Sequence, residues 1–225
     1  MEGIKQIIKL EKKKIATREF FISTLKSEDI PVEKRLHFLP SMAYFAMAFS
    51  DLNKHVLSYP CPKDKYEEAI NAHSAEDSTH WPMFINDLKV LNLNTNQDLT
   101  TTLIYLWSDE VSENRKLSYT LIPFFKNQHA VLRYIAIESV EAVGNVLFKN
   151  LRNITFKLDL PIQYCNDIHL SLETGHSMAT KEDVFDDVEI TDEIKEFATS
   201  MIESIFEAFT LWIDELDRNL KKLIK

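Results

Sequence analysis

Apolar residues recur at three- and four-residue intervals along most of the chain, a spacing that predicts helices. Ile4, Ile7, Ile8, Ile15, Phe20 and Phe21 predict a first helix from Ile4 to about Lys26. Pro31 suits the first position of a second, which runs through Leu36, Met42, Phe45, Met47 and Leu52 to about Leu57. Pro40 removes a backbone donor inside it and should kink it. Tyr59–Asp64, with two prolines, predicts a loop. A third helix is expected over Lys65–Leu91, kinked near Thr79–Trp81 by Pro82. Asn92–Gln97 connects it to two shorter helices, about Leu99–Trp107 and Ser112–Phe125. The next, about Ala130–Leu151, carries Leu132, Ile135, Val140, Val143 and Leu147 as an apolar stripe.

Pro161 is expected to open a further helix reaching about His176, where Gly175 weakens it. Thr180–Glu189 is acidic and without apolar periodicity, which predicts an exposed loop. Thr191-Asp192-Glu193 has the form of a helix start, with acidic residues favoured by the dipole in the first turn. The last helix should present Phe197, Met201, Ile205, Phe209 and Trp212 on one face. No composition break divides the chain, so residues 1–225 are expected to form one all-α domain of seven or eight helices.

Composition sharpens this picture. Only three of 225 residues are glycine, fewer than strand-and-turn folds usually need for tight turns. The formal net charge of −9 leaves no basic stripe for phosphates, so nucleic acid is not an expected partner. The run Lys12–Lys14 sits among residues spaced like a solvated helix face. The chain opens Met-Glu-Gly-Ile-Lys without an apolar leader, and no stretch approaches the roughly 18 apolar residues of a membrane span. Cys61 and Cys165 are too few and too scattered for a disulfide framework or a zinc knuckle. The expectation is a soluble cytoplasmic protein with no membrane partner. The long terminal helices offer a surface for a homodimer, although no heptad pattern specifies one.

Two matching patterns carry the candidate chemistry. His73-x3-Asp77-x2-His80 and His169-x3-Glu173-x2-His176 both read His-x3-(Asp/Glu)-x2-His. On a helix, positions i, i+4 and i+7 share one face, so each pattern stacks imidazole, carboxylate and imidazole in a column. Buried, such a column needs a partner, and a cation supplies both charge and directional bonds. Imidazole with carboxylate suits iron, manganese or zinc, whereas a structural zinc site would use cysteine. Between the two patterns lie Glu138 and Glu141, at i, i+3 on one helix. Glu138 sits among Tyr134, Ile135, Ile137 and Val140 and is the better candidate for an inward carboxylate. Glu76 and Glu141 read as solvated or supporting groups, and His37, His55 and His129 as structural or exposed. The aromatic and Met positions Tyr44, Phe45, Met47 and Phe49 fit core packing, with a substrate wall as the alternative. No glycine-rich phosphate loop, Gly-x-Ser-x-Gly elbow or haem-attachment motif is present.

With these residues in hand, the chain resembles the haem-oxygenase-like diiron oxidases and oxygenases. It is also similar to the broader group that includes the thiaminase-like TenA proteins and the coenzyme PQQ synthesis protein. The resemblance rests on the order of features: His80 on a first ligand helix, Glu138 midchain, then His169, Glu173 and His176. It spans about residues 30 to 215, and the His169–His176 motif is its most specific part. One position departs: those enzymes usually have a glutamate seven to ten residues before the first histidine, where this chain has His73, with Asp77 between. Either His73 replaces that carboxylate or Asp77 takes its role. The resemblance implies a helical bundle enclosing two iron ions, ligated by His73, His80, Glu138, His169, Glu173 and His176, with Asp77 additional or alternative. Manganese is compatible with the same ligands. It further implies dioxygen activation and oxidation of a small organic substrate. Two alternatives stand beside it: a metal-free thiaminase-like hydrolase, in which Cys165 would be the nucleophile, and a non-catalytic metal-binding helical protein.

Overall fold

The computed structural model of the chain describes residues 1–94, 98–175, 184–185 and 188–224. Every regular element among them is helical, as the spacing predicts. In chain order these are α1 (Glu2–Ala16), α2 (Glu19–Ile22), α3 (Val32–Arg35), α4 (Ala43–Asp51), α5 (Lys65–Asp77), α6 (Trp81–Val90), α7 (Leu99–Trp107), α8 (Ser112–Phe125), α9 (Ala130–Thr155), α10 (Asp167–Gly175) and α11 (Asp192–Leu223). Nine of the eleven run nine residues or longer, one more than the upper expectation, because the stretch expected as one helix over Lys65–Leu91 is two.

α9 is the axis of the fold. Sixteen of its 26 residues are buried, and α1, α5, α8, α10 and α11 all pack on it. A helix buried this completely has no single apolar face. α11 lies along α8, α9 and α1, burying a stripe that includes Met201, Ile205, Phe209 and Trp212. Phe197, expected on that stripe, is exposed instead, in the second turn of the helix. Thr191 caps α11 as its sequence suggests, its hydroxyl accepting the Ile194 N–H at 3.3 Å. α7 contributes no buried residue and leaves Leu99, Ile104 and Trp107 more than half exposed.

The second predicted helix is several short pieces. Pro40 falls in a 3-10 turn, Leu39–Met42, and α4 then passes into a π-helical turn, Leu52–Leu57. Such a turn leaves carbonyls short of intrahelical donors. Arg133, buried on α9, donates to the carbonyl of Leu57, and its guanidinium lies 3.7 Å from the Tyr59 ring centre.

The helix predicted to open at Pro161 starts six residues later, at Asp167. Asp87 of α6 accounts for the delay. Its two carboxylate oxygens accept the backbone N–H groups of Gln163 at 2.7 Å and Cys165 at 2.8 Å. Those amides are therefore committed to a side chain of another helix. The exposed loop expected over Thr180–Glu189 lies largely outside the described residues, but Phe185 within it is buried, stacked on Tyr134 at 4.1 Å. Residues 95–97 of the connection expected at Asn92–Gln97 also lie outside.

Candidate metal centre

The first histidine pattern is not one continuous column. α5 ends at Asp77, and His80 occupies the position just before α6. Pro82 forces the break, since it has no N–H for the carbonyl of Ser78 and its ring crowds that turn. The Ser50 hydroxyl of α4 donates to the Ser78 carbonyl at 2.7 Å and supplies the missing bond. The turn at 78–80 swings His80 off the α5 register without removing it from the interior. His73, Asp77 and His80 are all buried.

On α5, His73 Nε2 stands 2.9 Å from Asp77 Oδ2 and 3.9 Å from Glu141 Oε1. Ligand atoms of these three residues all lie within 4.8 Å of one another. The other Asp77 oxygen, Oδ1, is 3.9 Å from His80 Nδ1. His80 Nδ1 is in turn 3.2 Å from Nε2 of His169, on α10. Asp77 thus has one oxygen toward His73 and Glu141 and the other toward the His80–His169 pair.

The tautomer of His169 follows from its neighbours. Its Nδ1 lies 3.1 Å from the Tyr164 carbonyl, which can only accept, so Nδ1 carries the proton. Burial lowers the His169 pKa to about 4, leaving the ring neutral at pH 7. Nε2 therefore holds a lone pair facing the cluster, the arrangement found for a ligating histidine. The Tyr164 ring stacks on His169 at 4.5 Å and Phe148 meets it edge-on at 4.2 Å, fixing its orientation. Tyr164 is itself held between the two amides that Asp87 binds.

Burial alone would raise the Asp77 carboxyl, but the histidines around it, His73 first, hold it below its ordinary value. It is a buried carboxylate, and its Oδ2 has no aligned hydrogen-bond donor despite the short approach of His73. A lone pair left bare in the interior costs about 1–3 kcal/mol. A cation between Asp77, His73 and Glu141 would remove that cost. Two ligands of one ion at about 2.1 Å stand roughly 3 Å apart, close to the 2.9 Å of His73–Asp77 and the 3.2 Å of His80–His169. The donor set and its spacing fit a transition-metal centre.

Of the two glutamates on α9, Glu141 reaches this cluster, although its sequence position reads as supporting or solvated. Glu138, one turn earlier, is half-buried and within electrostatic reach of Lys12, and it joins no such cluster among the described residues. Because α9 is buried nearly all round, apolar neighbours in sequence do not single out the inward glutamate. A signal was present in the row Tyr134, Glu141, Phe148 at seven-residue spacing. Tyr164, outside either pattern, had none. The Glu173 side chain and His176 lie outside the described residues. His37, His55 and His129 are exposed.

A cavity of about 50 Å³ opens on the cluster. Asp77, His80, Glu141 and His169 form its polar end, and side chains of α4, α9 and α11 form apolar walls. Cys165 is fully buried, and burial followed by the Asp87 charge pushes its thiol well above the usual range. No helix among the described residues is long and apolar enough to cross a membrane. The chain matches no protein-family model and none of the curated proteins.

Proposed function

We propose that the protein is a non-haem diiron oxidoreductase, built on a haem-oxygenase-like helical bundle, that uses dioxygen to oxidise a small organic substrate. The observation that carries this reading is Asp77: a buried carboxylate with one bare oxygen, between two groups of imidazole and carboxylate donors. His73, Asp77 and Glu141 would hold one ion, and His80 and His169 would contribute to a second, with Asp77 shared. Glu138, Glu173 and His176 remain candidate ligands from the sequence pattern. Manganese suits the same donors.

Iron in such a site, when bound, supplies the electrons for dioxygen chemistry. The chain's own residues set the conditions. Tyr164 fixes the proton of His169 on Nδ1 and keeps Nε2 free to ligate. Phe148 and the Tyr164 ring wall off the His169 side, and the apolar cavity holds a substrate against the polar end while excluding bulk water.

The hydrolase alternative needs an accessible thiolate. Cys165 is buried, its thiol is raised, and its backbone is tied to Asp87, which opposes that role. A Cys165→Ala variant is expected to keep full activity.

Elemental analysis after anaerobic loading with ferrous iron tests the metal reading, on wild type, His73→Ala and Asp77→Ala. About two irons per chain in wild type, sharply reduced in both variants, is the expected result. Wild type binding no transition metal would sink it. Stoichiometric iron with no oxygen consumption under any reductant would favour a non-catalytic metal-binding protein.

A further inference from the structure

Seventeen residues line the cavity, and beyond Asp77, His80, Glu141 and His169 the remaining thirteen are uncharged. Seven of those thirteen are aromatic, and none of the seventeen is lysine or arginine. A carboxylate or phosphate entering here would meet two acidic side chains and no cation of the protein. Its desolvation would go uncompensated. An uncharged ring meets Phe45, Phe209 and Trp212, which pack among themselves at 5.6–5.8 Å between ring centres. Such a ring gains apolar burial and edge-to-face contact.

Room for it is also provided. The cavity's roughly 50 Å³ is several times the 10–15 Å³ that a single water requires. Gly144 lines the cavity in the interior of the 26-residue α9, where glycine weakens a helix by about 0.5–1 kcal/mol relative to alanine. That weakening is understandable if a side chain at 144 would occupy the space. Trp81, partly exposed, lines the same cavity on its open side.

We propose that this cavity binds a small, uncharged, single-ring aromatic molecule and selects against its carboxylate counterpart. That the bound molecule is the one oxidised rests on the diiron reading; the binding itself does not.

The test compares benzamide with benzoate, near-isosteres that differ in charge, on metal-free protein held in chelator. Binding is read from the methyl NMR signals of Met42, Val143 and Leu147, which line the cavity. Benzamide should shift those signals and bind at least tenfold more tightly than benzoate. Gly144→Leu should abolish the shifts while circular dichroism stays helical, and Val143→Phe gives an independent obstruction should the first variant misfold. Benzoate binding as tightly as benzamide, or neither ligand moving these signals at 10 mM, would overturn the proposal.

The comparison is repeated on zinc-loaded protein. Benzoate overtaking benzamide there would also overturn it, because the ion would then be recognising the carboxylate. Iron content measured in parallel separates the two readings. Benzamide binding without any metal uptake upholds the cavity and sinks the diiron site, whereas metal uptake without benzamide binding does the reverse.

Discussion

Asp77 and Asp87 stand ten residues apart, both buried, at the ends of the paired helices α5 and α6. Asp87 is saturated: each of its oxygens accepts a backbone N–H, and these bonds set the path of residues 163–165. Asp77 keeps one oxygen without an aligned donor and faces histidines on either side. Their surroundings also shift them in opposite directions. Burial raises the Asp87 carboxyl, partly offset by its amide partners, whereas at Asp77 the neighbouring histidines outweigh burial and lower it. A buried acid that serves the fold is satisfied by the backbone, and one that serves a ligand is left incomplete by the protein. The two are coupled, since the segment Asp87 fixes carries Tyr164, which orients His169.

The largest expected effect breaks the ligand side of this comparison. Asp77→Ala and His73→Ala should each weaken iron binding by more than about 100-fold, beyond what loss of a supporting group does. Equilibrium metal titration checks this, and an unchanged affinity would remove both residues from the site.

Next is the structural side. Asp87→Ala leaves two buried N–H groups without acceptors, and a loss of about 2–4 kcal/mol is expected in urea unfolding of metal-free protein. Asp87→Asn keeps one acceptor and should lose less.

A sharper contrast comes from the isosteric change at the other aspartate. Asp77→Asn removes a buried charge with no saturating partners, so metal-free stability should hold or rise by about 1 kcal/mol. Destabilisation on the scale of Asp87→Ala would show that Asp77 is structural as well.

The smallest effect concerns Glu215, a second saturated acid. It accepts the N–H groups of Glu113 at 2.8 Å and Asn114 at 3.0 Å, at the start of α8. Burial raises its carboxyl despite those bonds. The folded state then binds the proton more tightly than the unfolded chain. Stability is full below the ordinary glutamate range and declines as pH rises through the folded value. Glu215→Gln should flatten that decline, read from urea midpoints between pH 4 and 7.

The sequence by itself determined that the chain is helical, where most helices run, and which residue types could hold a metal. Helical periodicity and caps such as Thr191 are local, encoded within a few residues of where they act. The two His-x3-(Asp/Glu)-x2-His patterns were legible for the same reason, and the first brought His73 and Asp77 together on α5. Whatever depended on residues far apart in the chain was decided by tertiary structure. The break before His80 is stabilised by Ser50, 28 positions away. The late start of α10 is set by Asp87, 76 positions from Gln163. The approach of Glu141 rather than Glu138 to His73 depends on how α9 is rotated against α5, which its nearly complete burial hides from periodicity. Local spacing specifies donors, but only packing brings donors from different helices within bonding distance of one point.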